Sequence, residues 1–462
     1  MQTVLFIMVP IPSHYNANYG LANWLQQHNY RIVYAGTPSL KQHVEEQGFD
    51  FKELTYLIEY FPAGIRTKLH HLWRSLRDSS HLRTRYRDYR TTLQSLQALC
   101  DQVRPDYILI DEHLSYYYYL LHDKAPNVFF IHSKPPTQPL PAIPPLEYAV
   151  PLQNNLLGRL RAWAMWQPYL LRRHIGRLQR RAIFLGKNDM YFVERHARRN
   201  GLDPSTIAMR NNALYDLVKG VQRLHIVPRC LEYPWYKPAP NEHFFRRPYE
   251  RHDARFASTN WQSIEPILDK RAREGHRLLY VSLGTLSKKH ADLCVHFLNQ
   301  VIEAVRPLHG VQVIMVTNKL DIHPTENTPP HVHLMPSVPQ QRLLLYCDLM
   351  LTHGGMNSVT ECLVAGVPML VYPLNLTSDQ PGNAARVRFH GLGLAGTLRR
   401  ASSMRLRQQI EALLGDPAYH ERVELLGQQF AAEIREQERS ILPVFGYQPT
   451  PSLTSPHPVT AD

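Results

Sequence analysis

Short apolar runs alternate with helix-patterned stretches twice along this chain, and that alternation restricts it to an α/β architecture. In the first third, Val4–Val9, Arg31–Ala35, Tyr107–Ile110 and Val128–His132 read as buried strands. Between them, Asn18–Gln27 carries Leu21, Trp24 and Leu25 on one helical face, and Ser39–Gln47 reads as a helix ended by Gly48. Residues 66–103 read as one long helix or a helix pair. A second block begins near residue 275, with strands at Leu278–Leu283, Val311–Thr317, Leu349–Thr352 and Met369–Tyr372. A strand, a helix and a second strand in succession build a parallel pair, because a parallel connection must cross back over the sheet. Two such blocks in 462 residues predict two Rossmann-like domains, each with a core of its own. The apolar share of 44% is enough to fill both.

Between the blocks the pattern breaks. Residues 133–151 hold seven prolines and read as a loop. Residues 155–183 then read as a basic amphipathic helix with a possible kink at Pro168. Leu171, Ile175, Leu178 and Ala182 recur at helical spacing, and Arg173, Arg177 and Arg180 line another face. The stretch 237–262 is rich in Pro, Arg and His and lacks periodicity. The expected division is therefore a first domain over 1–240, a linker over 241–262 and a second domain over 263–445. The Pro/Thr/Ser-rich tail 446–462 is expected to be disordered.

Charge is distributed unevenly. The formal net charge is +13, and the excess lies in 62–104 and 151–200, which face an anionic surface on this reading. Five cysteines are scattered without a CxxC pair, so neither a disulfide framework nor a zinc site is expected. The chain enters its first apolar run directly after Met1-Gln2-Thr3, without a basic leader, and no apolar stretch is long enough to span a bilayer. A cytoplasmic protein is expected.

The most informative stretch is 348–383. An apolar strand ends at Thr352-His353, turns at Gly354-Gly355 and opens a helix near Met356. A helix start presents free backbone N–H groups and the positive end of the helix dipole, and glycine lets an anion approach them. His353 and Ser358 can donate to a phosphate, and Glu361 can accept from ribose hydroxyls. Taken alone, the glycine pair is equally well an ordinary strand-to-helix turn with Asn357 or Ser358 as its cap. The whole string narrows the reading. His353, Gly355, Asn357, Ser358 and Glu361, preceded by Pro339-Gln340 and followed by Gly366-Val367-Pro368, Pro373 and Asp379-Gln380, resemble the nucleotide-sugar box of the family-1 glycosyltransferases. Val281-Ser282-Leu283-Gly284-Thr285 resembles a second element of that family.

The resemblance implies two Rossmann-like domains whose parallel sheets face each other across a cleft, the glycosyltransferase B fold. It also implies a site for a nucleoside-diphosphate sugar. Val338 and Gln340 would meet the base, and Glu361 the ribose. His353, Gly355 and the N–H groups near Asn357 and Ser358 would hold the pyrophosphate from one side, with Ser282, Gly284 and Thr285 on the other. Asp379 and Gln380 would read the sugar. Two positions depart from the plant pattern. Ser337 stands where a Trp opens the box, so stacking on the base is weaker or supplied elsewhere, and Met356 stands where many members have Trp before Asn.

His14 follows the first strand, at the carboxyl edge where parallel sheets bind ligands. The family has a histidine in this place. Here Ser13 replaces its usual glycine, while Leu21-Ala22 keeps the family spacing. An acceptor hydroxyl needs a base, and a neutral imidazole oriented by a carboxylate provides one. Pro105-Asp106-Tyr107 through Asp111 matches the family strand that supplies that carboxylate, so Asp111 is expected to face His14. No DxD motif is present, and Met369 occupies the position eight residues after Glu361, where retaining relatives carry a second Glu. The expected reaction is inverting and metal-independent. It needs no cofactor beyond the nucleotide-sugar co-substrate, expected to be UDP-glucose.

Tyr116-Tyr117-Tyr118-Tyr119, the long Pro-rich loop, Trp163 and Trp166 favour a flat or long apolar acceptor. The wording of the string from Gly366 to Ala384 resembles bacterial members near the carotenoid and macrolide glycosyltransferases of secondary metabolism, which implies a carotenoid or other terpenoid alcohol. The basic segments 66–90 and 155–183 are expected to rest peripherally on the inner face of a membrane, with no nucleic-acid partner. The alternatives are a non-catalytic lipid- or membrane-binding protein on the same fold, or a nucleotide-sugar epimerase.

Overall fold

The computed structural model describes residues 1–57, 64–78, 80–209, 217–249, 261–284, 290–318 and 320–446. Its strands are β1 (Gln2–Ile7), β2 (Tyr30–Gly36), β3 (Asp50–Glu53), β4 (Tyr107–Asp111), β5 (Asn127–His132), β6 (Ala208–Met209), β7 (Leu217–Val218), β8 (Arg223–His225) and β9 (Glu242–Phe244) in the first half. The second half contributes β10 (Arg277–Ser282), β11 (Val311–Val316), β12 (Val332–Met335), β13 (Leu349–Thr352), β14 (Met369–Val371) and β15 (Gly393–Ala395). Strands β6 and β7 form a small antiparallel ribbon.

Two parallel sheets result. The first runs β3-β2-β1-β4-β5-β8-β9 and the second β12-β11-β10-β13-β14-β15. In the first, β1 pairs with β2 on one side and β4 on the other, with Val4 opposite Tyr107 and Ile7 opposite Ile110. Chain order therefore reverses between β1 and β4. In the second, β10 lies between β11 and β13, and order reverses there. At such a reversal the connections leave in opposite directions and open a crevice at the carboxyl ends of the strands. Each half of the expected site emerges at one of these crevices.

Both sheets bury apolar side chains on both faces, as parallel sheets covered by helices must. Val4, Phe6 and Leu109 point into one layer of the first lobe, and Leu5, Ile108 and Ile110 into the other. In the second lobe, Tyr280, Met350 and Met369 are on one side and Leu279, Leu351 and Leu370 on the other. Residues 66–103 resolve into two helices, Ile65–Arg77 and Ser80–Val103. Leu156–Ile183 is one continuous helix with Pro168 inside it.

The lobes exchange chain, so the expected boundaries at 240 and 445 cut across the packing. Strand β9 adds to the first sheet from within the stretch expected as linker. Val227, Leu231, Tyr233 and Tyr236 precede the expected boundary yet share a core with Met350 and Met369 of the second lobe. The helix Ala418–Ile441 returns in the opposite sense, and Ile441 and Phe445 bury in the first lobe. There the hydroxyls of Tyr30 and Tyr107 both donate to the Phe445 carbonyl, at 2.6 and 2.7 Å. Residues 250–260 of the expected linker and 447–462 of the expected tail lie outside the described residues.

One buried ion pair closes the junction. Arg386 of the helix Gln380–Phe389 donates to Glu232 through Nε at 2.9 Å and Nη2 at 2.8 Å, and through Nη1 to the Gly382 carbonyl at 3.1 Å. Both side chains are almost fully excluded from solvent. Losing one partner of such a pair strands a charge in the interior. Arg386→Met is expected to cost about 3–5 kcal/mol, read as a lowered denaturation midpoint. Arg386→Met combined with Glu232→Leu should recover most of the loss.

Candidate active site

His14 lies in the first turn of the helix Pro12–Gln27, not in the loop before it. Proline suits that position because its fixed φ is already helical and its missing N–H has no partner to lose there. The early start brings His14 back over the end of β4. Its Nδ1 lies 2.8 Å from Asp111 Oδ2, and both residues are buried. A hydrogen bond there puts the proton on Nδ1 and leaves the lone pair on Nε2, the arrangement of a general base.

Asp111 has a second imidazole. His113 Nδ1 is 2.8 Å from Asp111 Oδ1, and the His113 ring stands edge-on to His14 with centroids 4.6 Å apart. Lys134 Nζ lies 2.8 Å from His113 Nε2. An ammonium can only donate, so Nε2 accepts and Nδ1 carries the proton towards Asp111. Burial pushes the Asp111 carboxyl up, but the two imidazoles outweigh it and hold it well below the usual carboxylate range. Burial and the Lys134 charge lower His113. Ser133 Oγ sits 3.2 Å from His14 Nδ1. Behind the pair, Glu112 and His132 form a second buried contact at 2.8 Å.

On the second lobe, β13 ends in Thr352 and the chain turns through His353, Gly354 and Gly355 into the helix Met356–Ala365. Gly354 takes φ 80°, and a Cβ there would meet Val371 at 2.6 Å, so only glycine fits. Gly284, just after β10, also has positive φ, and a Cβ on it would lie 2.5 Å from the His353 ring. The two glycines thus let His353 sit between the loops after β10 and β13. Gly355 caps the helix without a side-chain hydrogen bond, so the first N–H groups point at the crevice free of a cap. Burial drives His353 down to about 4, against a smaller opposing pull from Asp379. At neutral pH it is an uncharged imidazole.

Glu361 is held by the amides of Gln340 and Gln341, and Gln340 also reaches Ser358 Oγ at 3.3 Å. Tyr280 donates to Gln340 Oε1 at 3.0 Å. The carboxylate is therefore fixed before any ligand arrives. Beside it a cavity of about 320 Å³ opens between the lobes, lined by Asn16, Arg246, Tyr249, Gln341, Asn357 and Glu361 among others.

The remaining expected residues fall less simply. Val338 is buried and Ser282 closes β10, while Thr285 lies outside the described residues. Asn357 spends its side chain between lobes. Its Nδ2 donates to the Ser13 carbonyl at 3.0 Å, and its Oδ1 accepts from Arg246 at 3.1 Å. Only its backbone is left for an anion. Gln380 Oε1 accepts from the N–H groups of Leu374 and Asn375, both at 2.8 Å, and so pins the loop before it. Asp379 precedes that helix and accepts from Asn383 at 2.8 Å. Within the tyrosine run, Tyr117 and Tyr119 are core residues, and the hydroxyls of Tyr116 and Tyr117 hold the chain at Leu57. The Pro-rich loop reaches the second lobe, where Gly382 N–H donates to the Leu146 carbonyl at 2.7 Å.

Sequence reasoning missed His113, Lys134, Arg246 and Gln341. The first two stand close to expected features, and Gln341 adjoins Gln340. Arg246 carries no motif. Its buried guanidinium also donates to the Ala17 carbonyl at 2.7 Å, which joins the helix of His14 to the helix of Asn357.

Comparison with known proteins agrees with the fold. Residues 300–440 match the family of the C-terminal domain of erythromycin biosynthesis protein CIII-like proteins. The uncharacterized UDP-glucosyltransferase YdhE of Bacillus subtilis (strain 168) is 30% identical over 176 residues, which cover 36% of this chain and 43% of that protein. The zeaxanthin glucosyltransferase of Pseudescherichia vulneris is 40% identical over 92 residues, 20% of this chain and 22% of that one. The chain thus matches less than half the length of these curated relatives. Over nearly the whole length, the crystal structure of the glycotransferase of kitacinnamycin superposes with a TM-score of 0.64 at 22% identity, covering 95% of this chain and 98% of that one. The two parallel sheets and the likeness to that structure place the chain on the glycosyltransferase B fold, and the curated matches show partial similarity to UDP-glucosyltransferases.

Proposed function

We propose that this protein transfers a hexose, glucose from UDP-glucose, with inversion onto a hydroxyl of a lipophilic acceptor such as a carotenoid or other terpenoid alcohol. One observation carries the reading. The His14–Asp111 pair sits at the switch point of the first sheet, and the residue before His14 is hydrogen-bonded to Asn357 at the tip of the anion-facing helix in the second lobe. A base on one side and an anion site on the other suit attack on a carbon between them. Similarity to a zeaxanthin glucosyltransferase over 92 residues supports the choice of sugar and acceptor.

The chemistry follows from the groups present. The acceptor oxygen attacks C1 of the sugar as its proton passes to Nε2 of His14. The bond from C1 to the diphosphate oxygen breaks on the opposite face, and the nucleoside diphosphate leaves with the electron pair. Asp111 stabilises the imidazolium that forms. Negative charge growing on the leaving diphosphate meets the first N–H groups of Met356–Ala365 and the neutral His353. These donors are already oriented, so little reorganisation accompanies the step. Glu361, held by two amides, receives the ribose hydroxyls.

His14→Ala is expected to lower kcat by about 10²–10⁴-fold with donor KM little changed, measured as release of nucleoside diphosphate with a panel of hydrophobic alcohols. Asp111→Asn should fall on the same scale, and full activity in either variant would refute the assignment. Glu361→Ala should instead raise donor KM by roughly tenfold or more, for the loss of one or two hydrogen bonds to a charged acceptor. His353 gives a pH test. Its folded value near 4 lies below the ordinary one near ~6.5, so the unfolded chain takes up the proton first as pH falls. The stability linked to the neutral ring is present above about pH 6.5 and is lost progressively towards pH 4. His353→Gln should therefore melt with a shallower pH dependence than the parent across that window.

A further inference from the structure

The helix Leu156–Ile183 is packed inside out. Its small and aromatic residues Gly158, Ala162, Trp166 and Tyr169 are buried, and Trp166 Nε1 donates to the Ile143 carbonyl at 2.8 Å. The opposite side faces solvent, yet it is apolar. Leu156, Leu160, Trp163, Leu171, Ile175 and Leu178 are each between 42% and 76% exposed. At the α-helical repeat these six fall within roughly 120° of arc, a continuous stripe along the outside of the helix. A surface helix ordinarily turns such a stripe inward, because exposed leucine and tryptophan gain nothing from water.

The neighbouring helix Ile65–Arg77 repeats the pattern. Ile65, Leu69, Trp73 and Leu76 are 52–76% exposed and share one face, while Ser75 is buried. The two helices are joined by Lys68 Nζ donating to Gln179 Oε1 at 2.8 Å. Cations flank the stripes. The longer helix carries seven arginines and the shorter one four Lys/Arg side chains, and neither contains an acidic residue. Arg161 and Arg172 border the long stripe on one edge, and Arg159 and Arg181 on the other. Among the described residues, no helix is long and apolar enough to cross a membrane.

We infer that these two helices form a docking face for an anionic lipid bilayer, lying in the plane of the interface. Apolar side chains would enter the acyl boundary, while the arginines on both edges reach phosphate groups of the headgroups. Charge decides the occupant. A second copy of this face would bring two acid-free rows of arginine together, whereas an anionic bilayer supplies the opposite sign. The inference goes beyond the transfer reading and does not depend on it, since binding is measured without turnover.

The test is flotation of the full chain with vesicles of phosphatidylcholine containing roughly one-third phosphatidylglycerol, against phosphatidylcholine alone. Binding is expected only with the anionic lipid, weakening as salt rises. Arg159→Gln with Arg161→Gln and Arg181→Gln should reduce partitioning by about a hundredfold or more. Trp163→Ser with Leu171→Ser and Leu178→Ser leaves the charge intact and should reduce it by about a thousandfold or more, roughly tenfold or more for each large apolar side chain removed. An unchanged melting temperature shows that each variant is folded. Three results would overturn the inference: no flotation at low salt, flotation untouched by both sets of changes, or a parent chain that sediments as a dimer and becomes monomeric on the serine substitutions.

Discussion

A guanidinium and a carboxylate, both removed from water, tie the segment that leaves the first sheet to the second lobe through Glu232 and Arg386. Neither charge can be buried alone, so the contact is satisfied in one geometry or not at all. Glu232 lies on the segment that leaves the first sheet after β8, and Arg386 on the helix that begins just after Asp379. Their pairing fixes where the crossing segment leaves the first sheet and meets the helix Gln380–Phe389. The Gly382–Leu146 contact beside it and the Arg246–Asn357 contact across the crevice agree with the same placement.

Within that frame the two switch points use opposite electrostatics. At the first, a buried carboxylate is kept ionised by two imidazoles, and its charge is available to a proton arriving on His14. At the second, burial keeps His353 neutral, so the anion site relies on oriented N–H dipoles and not on a fixed positive charge. On the proposed function a neutral site suits a ligand that must leave after the reaction, because a leaving diphosphate held by a full buried cation would be slow to release. The buried carboxylate of one lobe and the neutral imidazole of the other are thereby separated in space, and their helices are joined through Asn357 and Ser13.

Much of this was legible beforehand. Long apolar runs such as Val4–Val9 and Val311–Thr317 announced buried parallel strands, since only a sheet covered on both faces tolerates them. Strands β8, β9 and β15 have three residues each, too few for any period, and they exist because an edge was available for pairing. The helix of His14 begins at Pro12, six residues before its apolar face becomes readable at Asn18. His113 passed unnoticed because two residues of separation from Asp111 has no meaning until a tight turn folds the ring back. Leu171, Ile175 and Leu178 were read correctly as one face of a helix, but periodicity says only that a face exists, not which way it points.

By itself, the order of residues determined the class of fold and the turn at Gly354-Gly355, because these depend on local pattern and on residues a few positions apart. Tertiary structure decided that His113 shares Asp111 with His14, that the Asn357 side chain bridges the lobes, that the chain crosses twice between domains, and that the leucines of Leu156–Ile183 face outward. Those outcomes rest on contacts between residues distant in sequence, where burial, charge pairing and the space left by neighbours choose the partner, and a linear pattern contains none of the three.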